Sequence, residues 1–189
     1  MYNFNNSKKV FLEKKDKSNK QSWDNRIINL CNKINSKNDY FTTSSCSGRI
    51  VLLKDEKKKK PGLFLFRTHK KITFSQLKKE LQKASLEKIK GIVLFKQEPC
   101  LLSVSSRNKE SQLQLFNKAR NNGWKKSGIL SIDRKFLVEL TSTENISFPV
   151  LNDGKILVDD NFLEIIVKKA NDNLNSSWKK IDRLFSLIK

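Results

Sequence analysis

The sequence has few residues of the kinds that hold metal ions or build disulfide frameworks. Its three cysteines, Cys31, Cys46 and Cys100, are far apart and form no CxxC pair, and His69 is the only histidine. Structural zinc sites need four Cys or His ligands, and disulfide scaffolds need several paired cysteines. We therefore expect reduced thiols, no metal and no catalytic triad with alternative histidine bases.

Long apolar runs are also missing. No stretch approaches the ~20 apolar residues of a membrane-spanning helix, and the first residues, MYNFN, lack the apolar core of a signal peptide. Hydrophobic residues make up 37% and charged residues 31% of the 189 positions, which is typical of a globular protein. We expect a cytoplasmic protein without membrane contact and with a single domain spanning residues 1–189.

Acidic residues are scarce in comparison with basic ones. The chain has 39 Lys and Arg against 19 Asp and Glu, a formal charge of +20. Such an excess favours a polyanionic partner, with nucleic acid preferred over an anionic membrane surface. The predicted phosphate contacts are Lys17, Lys20, Lys58 and Lys59. The alternative for the lysine-rich 54–62 segment is a solvated hairpin tip.

Glycines are few, and their spacing excludes one common cofactor fold. No two of the six glycines form GxG, so the glycine-rich turn of a Rossmann domain is missing. Strands and helices alternate irregularly, which predicts an α+β fold of mixed, mostly antiparallel strands with flanking helices. Two stretches of hairpin, helix and strand, 40–95 and 91–140, suggest an internal duplication.

Hydrophobic periodicity and capping residues give the expected elements. Helices are predicted at 7–15, from a Ser22 cap to 34, from a Ser75 cap to 84, at 108–122 before a Gly123 stop, and at 161–173 and 176–188. Strands are predicted at 40–43, 50–53, 63–68, 91–95, 101–105, 129–132, 136–140, 148–150 and 156–158.

One stretch, TTSSCSGR at residues 42–49, is not explained by a need for a core. Its hydroxyls, backbone N–H groups and guanidinium suit a carboxylate, a phosphate or a ribose. The alternative is an ordinary hairpin connection in which Ser and Thr satisfy their own backbone. The sequence therefore offers this stretch as a candidate binding site.

The same stretch has a specific setting along the chain. DKSNK precedes it at 16–20, LFLFRTH follows at 63–69, and Glu98-Pro99, Arg107 and GWKKSG at 123–128 come later. In this order the motifs resemble the TYW3/Taw3 family of tRNA wybutosine-synthesizing methyltransferases, from about residue 16 to 171. The chain departs from the family pattern at Gln21, Ser103 and Thr141, where glycine, histidine and arginine are usual.

The resemblance implies S-adenosylmethionine as cofactor and the anticodon loop of tRNA(Phe) as partner. The implied reaction methylates N4 of a wyosine-type modified guanosine at position 37, a step of wybutosine biosynthesis. Methyl transfer to nitrogen requires positioning and the removal of one proton, without metal or covalent intermediate. The sequence leaves the oligomeric state open.

Roles for individual residues follow from the resemblance. His69 is the first choice for proton handling and Asp24 the second; the alternatives are that His69 only hydrogen-bonds cofactor or ribose, and that Asp24 only favours a helix dipole. The predicted cofactor or substrate contacts are Ser45, Ser47, Gly48, Arg49, Arg107, Ser127 and Gly128. Cys46 is expected to be a packed thiol, and Trp124 either stacks on a base or is buried.

Two rival hypotheses remain at this point. A non-catalytic basic RNA-binding protein would bind RNA in a strongly salt-dependent way and ignore the cofactor. The second rival is a methyltransferase of the same scaffold that acts on a different base, and Ser103 is the only residue that suggests it.

Overall fold

A computed structural model describes residues 3–13, 24–58, 61–133 and 135–188. The chain divides into two compact units. The first unit comprises Met1–Ser47, Cys100–Thr143 and Ser177–Lys189, and the second comprises Gly48–Pro99 and Glu144–Ser176. The single domain over 1–189 stays a prediction. Within the described residues, no helix combines the length and the apolar character needed to cross a bilayer.

Five helices and nine strands are formed by the described part of the chain. The helices are α1 (Phe4–Glu13), α2 (Ile28–Asn35), α3 (Phe74–Leu86), α4 (Lys109–Asn121) and α5 (Asp160–Leu187). The strands are β1 (Tyr40–Cys46), β2 (Arg49–Lys54), β3 (Phe64–Thr68), β4 (Ile92–Glu98), β5 (Leu101–Ser106), β6 (Gly128–Ser131), β7 (Phe136–Thr141), β8 (Ile146–Asn152) and β9 (Lys155–Ile156).

The first unit is built on a four-stranded antiparallel sheet with the order β1-β5-β7-β6. Its central strand β5 is buried along almost its whole length, and Leu102 and Val104 contribute to the core. The helices add apolar positions at helical spacing, because residues three and four apart share one helix face. The helical members of this core are Leu30, Cys31, Ile34, Leu115, Ala119, Ile181 and Leu184, with Ile27 preceding α2 and Ile188 following α5.

The second unit contains a five-stranded antiparallel sheet with the order β3-β2-β4-β8-β9. Phe95 of β4 stacks on Phe148 of β8 with ring centroids 5.5 Å apart, and Phe148 meets Phe162 of α5 edge-on at 5.2 Å. One face of this sheet is therefore packed against the first half of α5. The antiparallel sheets of both units confirm the predicted α+β, non-Rossmann fold.

The predicted duplication does not coincide with the two units. The stretch 40–95 contributes β1 to the sheet of the first unit, but it contributes β2, β3 and β4 to the sheet of the second. The two units also differ in strand number and strand order.

The predicted helix starts are wrong at two places. Thr73, not Ser75, caps α3, because its hydroxyl accepts from the Gln76 backbone while the Gln76 side chain accepts from the Thr73 N–H. This reciprocal pair is a capping box, which satisfies two N–H groups at once. Helix α2 begins at Ile28 without a side-chain cap, later than predicted; Ser22 lies outside the described residues.

The predicted break between two C-terminal helices is also wrong, since α5 is continuous from Asp160 to Leu187. The segment 171–177 is rich in Asn and Ser, whose side chains can compete with helical hydrogen bonds. Two of these side chains have partners outside the helix. Asn173 Nδ2 donates to Gln97 Oε1 at 2.7 Å, and the Ser177 hydroxyl lies 3.4 Å from that of Ser142.

Candidate functional site

The hydroxyl-rich stretch is a strand and not a turn. Residues 42–46 belong to β1, which pairs with β5, whereas β2 pairs with β3 and β4 in the other sheet. The alternative of an ordinary hairpin connection is therefore wrong. Ser47 and Gly48 are left as a two-residue link, and the first unit ends at Ser47 while the second begins at Gly48.

In the first unit, Asp24 binds the end of this stretch. Its Oδ2 accepts the Ser47 backbone N–H at 2.8 Å, and its Oδ1 accepts the Arg26 N–H at 3.3 Å. Asp24 lies before α2 rather than in its first turn, so the helix-dipole alternative is wrong. The carboxylate instead fixes the backbone at Ser47.

The Ser47 side chain is the most informative group here. Ser47 is fully buried, and its Oγ has no hydrogen-bond partner among the residues that the structure describes. A buried hydroxyl without a partner costs about 1–3 kcal/mol. Such an atom is the kind of group that a bound polar ligand satisfies.

Ser45 has a different neighbour in the same unit. The pKa of the Cys31 thiol is raised to about 11, mainly by burial; a hydrogen bond with the Ser45 side chain opposes this rise, and the nearby charge of Asp24 adds to it. Cys31 is thus a protonated thiol at neutral pH and not a nucleophile. Cys46, further along β1, is partly buried.

In the second unit, His69 binds Gly48. The His69 Nδ1 lies 3.0 Å from the Gly48 carbonyl oxygen. A carbonyl only accepts, so Nδ1 carries the proton and Nε2 is the basic nitrogen of the neutral ring. Gly48 has φ 98°, a conformation that side-chain-bearing residues rarely adopt. The observed contact of Gly48 is made by its backbone carbonyl, which binds His69. The predicted contact of Gly48 with cofactor or substrate stays a prediction.

Arg49 is surrounded by side chains of its own sheet. Its Nε forms an ion pair with Glu98 Oε2 across the β2–β4 ladder, and its Cζ lies 5.3 Å from the centroid of the Phe64 ring. Arg67 lies 5.5 Å from the same ring. No role was predicted from the sequence for Phe64, Arg67 or Glu98. The aromatic and charged residues of the 63–69 motif could have indicated a role for Phe64 and Arg67.

Arg107 is held by several contacts near α1. Its Nε donates to Asp39 Oδ1 at 2.8 Å, and its Nη2 donates to Asn5 Oδ1 and to the Asn38 carbonyl, both at 2.9 Å. Its guanidinium carbon lies 4.7 Å from the centroid of the Phe4 ring. These contacts join α1 to the turn before β1, and the predicted ligand contact of Arg107 stays a prediction.

Ser127 and Gly128 lie at the start of β6. The Ser127 hydroxyl donates to the Trp124 carbonyl at 2.6 Å and accepts the Thr141 N–H at 3.1 Å. Gly128 pairs with Glu139 of β7. Trp124 itself is fully buried, and its Nε1 donates to the Lys180 carbonyl at 3.3 Å. Trp124 is therefore a core residue and not a base-stacking one, while the binding roles of Ser127 and Gly128 stay predictions.

Of the predicted phosphate contacts, the structure describes one. Lys58 is exposed after β2. Lys17, Lys20 and Lys59 lie outside the described residues.

The fold and these residues define a class of protein: an α+β chain of two antiparallel sheets that is not a Rossmann enzyme. The chain belongs to the family described as Methyltransferase TYW3, whose profile matches residues 6–189. This result confirms the resemblance inferred from the motifs.

Relatives in archaea and animals are similar over most of the chain. The tRNA(Phe) 7-((3-amino-3-carboxypropyl)-4-demethylwyosine(37)-N(4))-methyltransferase of Thermococcus sibiricus is 35% identical over 186 residues, 96% of this chain and 92% of that protein. The protein of the same name from Archaeoglobus fulgidus is 36% identical over 176 residues, 92% and 85% of the two chains. The tRNA wybutosine-synthesizing protein 3 homolog of Bos taurus is 31% identical over 183 residues, 94% and 69%.

Solved structures share the fold. The PH1069 protein from Pyrococcus horikoshii OT3 superposes with a TM-score of 0.87 at 33% identity, covering 100% of this chain and 94% of that one. A hypothetical protein from Aeropyrum pernix gives a TM-score of 0.74 at 26% identity, covering 87% and 96%.

Proposed function

We propose that this chain methylates N4 of 7-(3-amino-3-carboxypropyl)-4-demethylwyosine at position 37 of tRNA(Phe), with S-adenosylmethionine as the methyl donor. The observation that carries the proposal is the 35% identity, over 96% of the chain, to a protein named for that reaction. The charge of +20 supports a polyanionic substrate.

The residues fit a polar donor molecule. When bound, S-adenosylmethionine would supply a sulfonium methyl group, whose carbon bonds to the base nitrogen as its bond to sulfur breaks and the thioether S-adenosylhomocysteine leaves. The buried Ser47 hydroxyl, which has no partner in the described part of the chain, is suited to complete its hydrogen bonding with a donor of this kind. We assign Ser45 and Ser47 to the donor, and we retain Gly48, Arg49, Arg107, Ser127 and Gly128 as predicted contacts to donor or modified base.

Proton removal from the base is assigned to His69. With Nδ1 directed at the Gly48 carbonyl, the ring is held in the tautomer whose Nε2 accepts a proton. Asp24 is assigned a positioning role, because both of its carboxylate oxygens already accept backbone N–H groups. These contacts thus assign proton removal to His69 and backbone positioning to Asp24.

The RNA side of the reaction requires an accessible base. A base in an anticodon loop is already unpaired, so its extrusion into a pocket costs less than extrusion from a duplex. Lysines and arginines that contact phosphates position the loop without reading its sequence.

The test is methyl transfer to tRNA(Phe) that carries the unmethylated precursor. Purified protein, this tRNA and S-adenosylmethionine are incubated, and the nuclease fragment containing position 37 is analysed by mass spectrometry. We expect the fragment to gain one methyl group only when protein and donor are both present. Salt-sensitive binding of the tRNA without any mass gain would instead support the non-catalytic RNA-binding alternative.

A further inference from the structure

The second unit has a sheet face that carries cations and one exposed aromatic ring. Directly paired residues of neighbouring strands point to the same face of a sheet. Val51 pairs with Arg67 on one side and with Lys96 on the other, and Leu53 pairs with Phe64. We name the face that carries Arg49, Phe64, Arg67 and Lys96 the basic sheet face. Phe95 and Phe148 belong to the opposite face, which packs on α5.

An irregularity in the sheet brings the ring onto this face. Along the β2–β3 ladder, Leu52 pairs with Phe66 and Leu53 with Phe64, so that Leu65 is an extra residue without a partner. A bulge of this kind shifts the alternation of side chains by one position. Phe64 and Arg67 are three residues apart, so in a regular strand they would lie on opposite faces. The bulge places them on the same face.

The ring is accessible and lies near two guanidinium groups. Phe64 is 42% exposed and lies on the edge strand β3. The Arg49 and Arg67 guanidinium carbons lie 5.3 and 5.5 Å from its centroid. Nucleobases stack on arginine planes as well as on aromatic rings. A base that contacts the ring therefore also meets two arginine side chains.

The charge of the face is complementary to a polyanion. Among the described strand residues of this face, the only acid is Glu98, and it is ion-paired with Arg49. Arg67 beside the ring and Lys96 on β4 are the other cations of this face. A protein partner would need an acidic and apolar surface together, whereas single-stranded RNA supplies phosphates and exposed base faces in one strand.

We propose that the basic sheet face binds single-stranded RNA, with one unpaired base stacked on Phe64 and adjacent phosphates on Arg67 and Lys96. This inference rests on the proposed function in one respect, because the RNA substrate comes from it. It adds a recognition surface for unpaired nucleotides flanking the target. Duplex RNA does not expose base faces, so the ring distinguishes a loop from a stem.

Fluorescence anisotropy with two labelled RNAs tests the proposal: a stem–loop with an unpaired loop and a blunt duplex of equal length. Phe64→Leu keeps an apolar side chain but removes the flat ring. We expect it to weaken stem–loop binding about 10-fold while duplex binding changes less than about 2-fold. The dependence of affinity on salt stays as in the wild type, because no charge is removed.

The charged residues give a second, independent readout. Arg67→Gln and Lys96→Gln are each expected to reduce the slope of log affinity against log salt by about 0.7 for the loop RNA. The matched controls are Phe185→Leu, since Phe185 is 39% exposed beneath Lys33, and Arg120→Gln, whose guanidinium lies 5.8 Å from the Phe116 ring. Both controls are expected to bind the loop RNA like the wild type.

A 2-aminopurine in the loop reports stacking directly. Its fluorescence is expected to be quenched on binding to the wild type and to stay unquenched with Phe64→Leu. Wild-type affinity in Phe64→Leu, or equal losses for loop and duplex, overturns the proposal. A wild type that passes these binding tests but transfers no methyl group overturns only the proposed function. Methyl transfer together with unchanged Phe64→Leu binding overturns only the basic sheet face.

Discussion

The Ser47 backbone N–H donates to the Asp24 carboxylate over 2.8 Å, and this bond joins residues 23 positions apart. It fixes the end of the hydroxyl-rich strand at the point where the buried Ser47 hydroxyl has no partner among the described residues. This contact gives Asp24 a structural role, because its carboxylate fixes the backbone at Ser47. Substitution of a structural carboxylate lowers stability, whereas substitution of a general base lowers the reaction rate.

Replacement of Asp24 separates the two roles. Asp24→Ala leaves the Ser47 N–H without its acceptor, and we expect a loss of about 1–3 kcal/mol of unfolding free energy in urea denaturation. Asp24→Asn keeps an acceptor oxygen, so it is expected to retain most of the stability and most of the methyl transfer rate. An Asn variant that is stable but inactive would assign the proton to Asp24 instead of His69.

The hydroxyl-rich stretch shows what sequence can and cannot predict. Its composition identified the stretch as unusual, because Ser, Thr and Arg have no reason to cluster in a core. Its conformation was not accessible locally, since β1 finds its partner β5 more than fifty residues later and no local signal specifies such a pairing. The result is a strand where a polar connection was expected.

Contacts distant in sequence and one register shift also account for the other features that were not predicted from the sequence. Helix existence and core faces followed from periodicity, as at Leu30 and Ile34. Within the continuous α5, the Asn173 side chain has its partner, Gln97, 76 residues away in sequence. The placement of Phe64 beside Arg67 depends on a bulge at Leu65. Each feature is set by a partner distant in sequence or by a register shift, and periodicity reports neither.

His69 is predicted to act in the chemical step. His69→Ala is expected to lower the single-turnover rate of methyl transfer by about 100-fold or more, with tRNA affinity within about 2-fold of the wild type. A larger effect on tRNA affinity than on the rate would move His69 to a binding role.

Arg49 is predicted to be needed for turnover and not for folding. Its ion pair with Glu98 leaves both side chains more than a quarter exposed, at 28% and 29%, and such pairs contribute little to stability. We expect the free energy of unfolding of Arg49→Ala to lie within about 1 kcal/mol of the wild-type value. Its methyl transfer rate is expected to fall about 100-fold. Arg49→Lys, which lacks the planar fork, is not expected to restore the rate. An unchanged rate in Arg49→Ala dismisses the assignment.

Cys31 predicts how stability depends on alkaline pH. Burial raises the pKa of its thiol from 9.0 to about 11, so above pH 9 the unfolded chain releases a proton that the folded chain keeps. The contribution is fully present below about pH 9 and is lost as the pH rises towards about 11. Urea denaturation of the wild type and Cys31→Ala across this interval is expected to show the stability difference narrowing. Parallel curves would contradict the buried, neutral thiol.

The buried pair of Asn173 and Gln97 is predicted to stabilise the second unit. Asn173→Leu leaves Gln97 Oε1 without the donor that now lies 2.7 Å away, and Gln97 is fully buried. We expect a loss of about 1–3 kcal/mol in urea denaturation. Asn161→Leu, at an exposed position of the same helix, is the matched control and is expected to change stability by less than about 0.5 kcal/mol.

Combining Asn173→Leu with Gln97→Leu removes both partners, so the double variant is expected to lose less unfolding free energy than the sum of the two single losses. Additive losses would show that the two side chains stabilise the unit independently.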